Sequence, residues 1–167
     1  MNMRTERLRI VKFTPEMAEV IHRQSLDADT RRFVPDEVFE TVGAARETIA
    51  HLISCYGTQE GPFVYPVLLS NGEVIGYVQF CRIAEGWEIG YHIGQDYRRQ
   101  GYATEAVSAF LPHMMDALSV NTVYGICNAE NVASRTVMTQ CSFTQIYEGI
   151  CCYQGRECTV CKFVYKR

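Results

Sequence analysis

A chain of 167 residues has room for one domain and is short for two. With 47% hydrophobic and 21% charged residues its composition is that of a globular protein, and a net charge of −3 argues against a non-specific nucleic-acid binder. No run approaches the roughly 20 apolar residues of a membrane helix, and the opening MNMRTERLRIVKF lacks the apolar core of a secretory signal; a cytoplasmic protein with reduced thiols is expected.

The first strand is expected over 8–13. Thr14, Pro15 and Glu16 then read as N-cap, first helical residue and first-turn acid, and Met17, Val20 and Ile21 supply the apolar stripe of a helix that fades near Asp27. A polar connection containing Pro35 follows. Thr41 caps a second helix in which Val42, Ala45, Ile49, Leu52 and Ile53 recur at helical spacing, ended by Gly57. FVYPVLL (63–69), the Asn71-Gly72 turn and VIGYVQFCRI (74–83) make a hairpin, with Pro66 marking an edge or a bulge. Glu85-Gly86 turns the chain into WEIGYHI (87–93), completing a three-strand antiparallel meander.

A loop over 94–101 leads to a helix from Tyr102 to Leu118, whose buried stripe is Ala103, Ala106, Val107, Phe110, Met114 and Leu118. Pro112 is expected to kink or shorten it. A strand over 122–127, a helix ending near Gln140, and two strands over 144–152 and 157–165 around Gln154-Gly155 close the chain. The order predicts one mixed α/β domain spanning 1–167.

Eight cysteines raise the question of a metal. Cys151/Cys152 and Cys158/Cys161 lie in strands, where positions one or three apart point to opposite faces, so no shared metal site is expected. The remaining cysteines read as small buried hydrophobes.

The loop carries the chemical signal. Gly101 and Ala103 lack bulk where a backbone could approach an anion, the following helix N-terminus offers unpaired N–H groups, and Arg98 and Arg99 add charge. There is neither G-x-G-x-x-G nor G-K-[ST], which excludes the dinucleotide fingerprint and the P-loop. Arg98-Arg99-Gln100-Gly101-Tyr102-Ala103 fits [Gln/Arg]-x-x-Gly-x-[Gly/Ala], placed between a meander and a long helix. With Thr5-Glu6-Arg7-Leu8 and NAENVASRTVMTQCSF, it makes the chain resemble the GNAT superfamily, the Gcn5-related N-acetyltransferases. YRRQGYATEAV and Asn131-Val132-Ala133-Ser134 resemble its RimJ/RimL-like branch. The family's Gly-Phe after the last helix is here Ser142-Phe143.

The resemblance implies a GNAT fold: a mostly antiparallel sheet of six to seven strands, flanked by about four helices and splayed between the fourth and fifth strands. It implies acetyl-CoA as co-substrate. Backbone amides from Arg99, Gln100, Gly101, Tyr102, Ala103 and Thr104, beside Arg98, would cradle the pyrophosphate. The pantetheine would run along Tyr91, His92 and Ile93, and Asn131 would contact the pantetheine or thioester end. Glu88 is the candidate general base, with His92, about 13 Å along the strand at ~3.3 Å per residue, as an alternative. The leaving-group tyrosine of many relatives falls at Met138, which cannot donate a proton, and Ser134 takes that role. No cysteine stands where a nucleophile would, so the implied reaction is direct acetyl transfer to a primary amine, either a protein N-terminus or a small molecule. A longer acyl donor, or a catalytically weak acyl-CoA-binding or sensor domain, is the alternative. Arg31 and Arg32, after the first helix, would serve an acidic acceptor or sit in solvent. Neither nucleic acid, membrane nor metal is an expected partner, and a homodimer is left open.

Overall fold

Apolar residues on both faces of the strands require a helical layer on each side of the sheet, and that is the arrangement found. The computed structural model describes residues 1–167. The first half of the chain forms β1 (Asn2–Arg4), β2 (Leu8–Val11), α1 (Ala18–Ser25), α2 (Ala28–Phe33) and α3 (Val42–Cys55). The meander follows as β3 (Phe63–Leu69), β4 (Val74–Ile83) and β5 (Gly86–Ile93). The remainder comprises α4 (Tyr102–Leu118), β6 (Thr122–Asn128), α5 (Val132–Gln140), β7 (Thr144–Tyr153) and β8 (Arg156–Lys166).

All eight strands form one sheet in the order β1-β2-β3-β4-β5-β6-β8-β7, antiparallel at every junction except β5/β6. On one face α4 and α5 cover Ile75, Val78, Phe80 and Ile89 with Val107, Phe110 and Met138. On the other, α1 and α3 bring Ile21, Ala45 and Ile49 onto Val64 and Tyr77. Each of the Val, Ile, Phe and Met side chains among these contributes roughly 1.5–3 kcal/mol by leaving water.

Two elements were not expected. β1 is a three-residue strand held to β2 by backbone pairing at Asn2↔Val11, Met3↔Ile10 and Arg4↔Arg9. The polar connection after α1 contains α2, whose N-cap Asp27 accepts hydrogen bonds from the Asp29 and Thr30 backbone N–H groups. Pro112 does not shorten α4, which continues to Leu118 with Leu111, Met114 and Met115 buried around it. That burial outweighs a lost helical hydrogen bond. Pro66 lies one residue beyond the β2 ladder, and the register shift expected near it falls at Val67/Leu68. No helix is long and apolar enough to cross a membrane.

Candidate active site

The sheet is open at one junction. β4 and β5 pair from Gly76↔Ile93 to Ile83↔Gly86, and β6 pairs with β8 from Thr122↔Lys166 to Asn128↔Val160. Between β5 and β6 the only register pair is Glu88↔Tyr124. The strands therefore diverge into a wedge whose apex is Glu88, and past that point the inward backbone groups of β5 have no strand partner. Such an edge accepts an extended ligand bearing amides.

The mouth of the wedge is the loop before α4. Arg99 and Gly101 have φ of 62° and 79°, and Gly101 caps α4 without a side-chain hydrogen bond to its first turn. Left-handed residues beside an uncapped helix start turn N–H groups outward into an anion-binding concavity. Arg7 fastens this loop: its Nε donates to Glu105 Oε2 at 2.6 Å, its Nη1 donates to the Gln100 carbonyl at 2.9 Å, and it lies 4.6 Å over the Tyr102 ring. Thr5 Oγ1 donates to Glu105 Oε1, so Thr5 and Arg7 together hold the first turn of α4.

Arg98 departs from the expected role. Its guanidinium binds Asp27 at 2.9 Å and Asp29 at 3.1 Å, and its Nε donates to the Ile93 carbonyl. The N-cap of α2 faces it, so its side chain clamps β5 to α2, and Arg99 is the loop arginine exposed to solvent. Thr104 is also engaged, donating to Gln140 Oε1 at 2.8 Å and tying α4 to α5.

On the α1/α2 face of the sheet, Tyr77, Gln79 and Cys81 of β4 stand opposite His92, Gly90 and Glu88 of β5. Burial pushes the Glu88 carboxyl up to about 7; the Ile126 N–H draws it back and Glu37 pushes it further. Glu37, on the turn after α2, accepts hydrogen bonds from Tyr77 Oη at 2.6 Å and Gln79 Nε2 at 2.7 Å. Burial raises its carboxyl above the usual range, and those two bonds offset part of the rise. Gly90 makes this possible: a Cβ there would lie 2.6 Å from Gln79 Nε2, so only glycine lets Gln79 cross β5 to reach Glu37. Tyr153 closes the far side, its hydroxyl donating to the Ile126 carbonyl. Burial, with Glu88 adjacent, pushes the Cys81 thiol up to about 12, which makes it a poor nucleophile.

His92 is not placed to act as a base. Burial and Arg98 hold it near 4, and its Nε2 meets Thr30 Oγ1 at 3.0 Å, whose hydroxyl donates to Asp27. Thr30's one proton goes to Asp27, so His92 donates from Nε2, leaving Nδ1 enclosed and without a partner. Any contact of His92 with a ligand in the wedge falls to its backbone.

On the α4/α5 face, the Tyr91 hydroxyl donates to the Ser134 carbonyl at 2.9 Å, leaving its oxygen to accept from Ser134 Oγ at 2.9 Å. The same Ser134 hydroxyl lies against Cys127, whose thiol burial pushes up to about 11. Asn131 caps α5 by accepting from the Ser134 N–H, which fixes where the serine stands. Ser134 is thus both within the helix start and on the wedge. Met138 is core: it fills the space a side chain would occupy at Gly125. Arg31 and Arg32 pair with Glu40 and Glu130, so neither offers an unpaired charge to an acidic acceptor.

Sequence reasoning missed Glu37, Gln79 and the Asp27–Arg98 clamp. Their partners are 40 to 71 residues away along the chain, and no local pattern announces them.

The comparisons with known proteins agree with this arrangement. A family model for the acetyltransferase (GNAT) domain matches residues 7–144. An uncharacterized N-acetyltransferase, YnaD of Bacillus subtilis (strain 168), is 25% identical over 141 residues, covering 83% of this chain and 79% of the relative. A GNAT-family acetyltransferase structure from Bacillus anthracis superposes with a TM-score of 0.85 at 23% identity, covering 99% of this chain and 98% of that one. RimL, a ribosomal L7/L12 alpha-N-protein acetyltransferase solved with coenzyme A, superposes with a TM-score of 0.80 at 20% identity, covering 97% and 95%. A wedge-split sheet, an uncapped helix behind a left-handed glycine, and a domain match across most of the chain converge: this chain belongs to the GNAT family of acetyltransferases.

Proposed function

We propose that this acetyltransferase moves an acetyl group from acetyl-CoA directly to a primary amine. The observation that carries the reading is the wedge between β5 and β6, with Glu88 at its apex and the α4 N-terminus at its mouth. The residues fit the donor. N–H groups of Gly101, Tyr102 and Ala103 suit a pyrophosphate, and the unpaired edge of β5 beyond Glu88 suits the amides of a pantetheine arm. Acetyl-CoA supplies the activated acyl group.

Glu88 accepts a proton from the acceptor ammonium, directly or through one water, and frees the amine lone pair to attack the thioester carbon. Backbone N–H groups of β5 facing the wedge polarise the carbonyl as its oxygen gains charge. Ser134 donates its hydroxyl proton to the departing sulfur and takes one back from solvent, while the Tyr91 hydroxyl, donating to the Ser134 carbonyl, holds the serine in place. The thiols of Cys81 and Cys127 are held protonated, which favours direct transfer over an acetyl-enzyme.

Isothermal titration with acetyl-CoA, followed by thiol release against a panel of peptides and amines, tests the reading. Binding with turnover is expected. No detectable binding removes the reading, and binding without turnover on any amine leaves an acyl-CoA-binding domain in its place. Ser134→Ala is expected to slow thiol release about 10²-fold while leaving acetyl-CoA binding intact.

A further inference from the structure

The face of β4 and β5 that carries Tyr77, Gln79 and Glu88 holds two carboxylates, Glu37 and Glu88, and no cation is paired to either. Glu37 and Glu88 act over one face of the sheet: Glu37 through Gln79, which lies across Gly90, and Glu88 two residues before that glycine on β5. The surrounding basic residues are all engaged elsewhere. Arg31 is bound to Glu40, Arg32 to Glu130, Arg98 to Asp27 and Lys162 to Glu85. The groups that hold Glu37 are a phenol and an amide, which orient a carboxylate without neutralising it. Beside them on the same face, His92 keeps an enclosed Nδ1 with no partner, and the His92 ring stacks on Tyr77 at 5.2 Å.

We propose that Glu37 is a specificity-determining residue of the acceptor site, seating the ammonium that Glu88 deprotonates and restricting acceptors to cationic amines with no carboxylate beside the amine. The proposal rests on the amine-acetylating reading above and narrows its substrate class. Free α-amino acids are poor acceptors, because their carboxylate would lie against Glu37. Their decarboxylated counterparts, and N-terminal amines whose carboxyl is tied up in a peptide bond, are good ones. In the step itself one N–H bond of the ammonium breaks, its proton passes to a Glu88 oxygen, and the freed lone pair forms the C–N bond as the C–S bond breaks. A second amine proton then leaves to solvent as the sulfur takes one from Ser134, and the serine regains its proton from solvent.

The electrostatics of the pocket are consistent with this role. Cys81 and Tyr153 face the pair as neutral groups, Asp36 adds negative charge, His92 is neutral, and Lys162 is the one cation felt at Glu88. A neighbouring anion makes Glu88 a stronger base, so removing it lowers the pH at which Glu88 loses its proton.

The test compares wild type with Glu37→Gln, whose Oε1 can still accept from Gln79 Nε2 while its amide N–H donates to the Tyr77 hydroxyl. Acetylation of agmatine is measured against arginine, and of tyramine against tyrosine, with a short alanine-initiated peptide amide as the arm that separates a protein acceptor from a small one. Wild type is expected to favour the decarboxylated member of each pair by about tenfold or more in kcat/KM, and Glu37→Gln to shrink that preference severalfold through KM. In parallel, NMR of ¹³C-labelled glutamate side chains follows Glu88 in the free protein, and its titration midpoint is expected to fall in Glu37→Gln. Equal use of both members by wild type, an unchanged preference in the variant, or an unmoved Glu88 midpoint overturns the proposal. A wild type that acetylates no amine removes the function proposed above, and the Glu88 titration still decides whether the two carboxylates act together.

Discussion

Glu88 is in an environment that disfavours its charge, and this sets both its use and its cost. Its carboxyl is raised from 4.5 to about 7, so the unprotonated base accumulates only as the pH climbs through neutrality. The kcat/KM for amine acetylation is expected to rise with pH, bending near 7, and Glu88→Gln to remove that limb and slow turnover about 10²–10⁴-fold. The sign for stability is the opposite. A carboxyl raised by folding binds its proton more tightly in the native state, so its presence weakens the fold as the pH rises from 4.5 towards about 7. Glu88→Gln is therefore expected to be more stable than wild type at pH 8, by about 1–2 kcal/mol in chemical denaturation, while turning over far more slowly. Ser142 shows strain of another kind. It follows α5 with φ of 65°, in the position where the family's Gly-Phe places a glycine. Ser142→Gly is expected to raise stability by about 1 kcal/mol with activity unchanged, read as a shift of the denaturation midpoint.

At the scale of elements, α2 works as a clamp more than as a helix. Asp27 caps it, accepts from Thr30 Oγ1 and holds Arg98, joining the turn between α1 and α2 to the end of β5 and the loop behind it. Burial alone would raise the Asp27 carboxyl, but Arg98 and Thr30 outweigh it and hold it down to about 2. The stability it contributes is therefore present above its ordinary value of 3.8 and lost as the pH falls towards about 2. Asp27→Asn is expected to cost about 2 kcal/mol at pH 7 and to converge on wild type near pH 2, checked by urea denaturation across that range. Elements whose apolar period shows in the chain were legible without coordinates. FVYPVLL at 63–69 and the helix from Tyr102 to Leu118 appear with the bounds their patterns gave. α2 was not legible, since ADTRRF has no apolar stripe and its stability comes from a cap and a distant arginine. β1 was missed for a related reason: an edge strand held by backbone pairing leaves no alternation to read. In the candidate site, Glu88 and Ser134 were named from the family resemblance, and the structure sets both beside the wedge. Glu37 was not, because a carboxylate beside a proline in a turn looks solvated until Tyr77 and Gln79 arrive from β4.

Taken whole, the molecule is a sheet in two parts. β1 to β5 form one ladder and β6, β8 and β7 another, and α4 packs against residues of both. A donor lying in the wedge would supply hydrogen bonds that the protein leaves unmade between the parts. Saturating coenzyme A, at about 100 times its Kd, is expected to stabilise the fold by roughly 2.7 kcal/mol and raise Tm by about 5–10 °C. Hydrogen exchange is expected to slow most at amides of β5 beyond Glu88 and at those of β6. The lone register pair Glu88↔Tyr124 also makes the two ends of the wedge unlike each other. The loop of Arg99 and Gly101 stands at the other end, past the last pairing between the two parts. On the proposed reading, the nucleotide end of the donor is gripped at that loop and the acyl end lies beside Glu88, so capture and chemistry are set at opposite ends. Trimming the donor at its nucleotide end should then weaken its capture and leave the speed of the captured complex almost untouched.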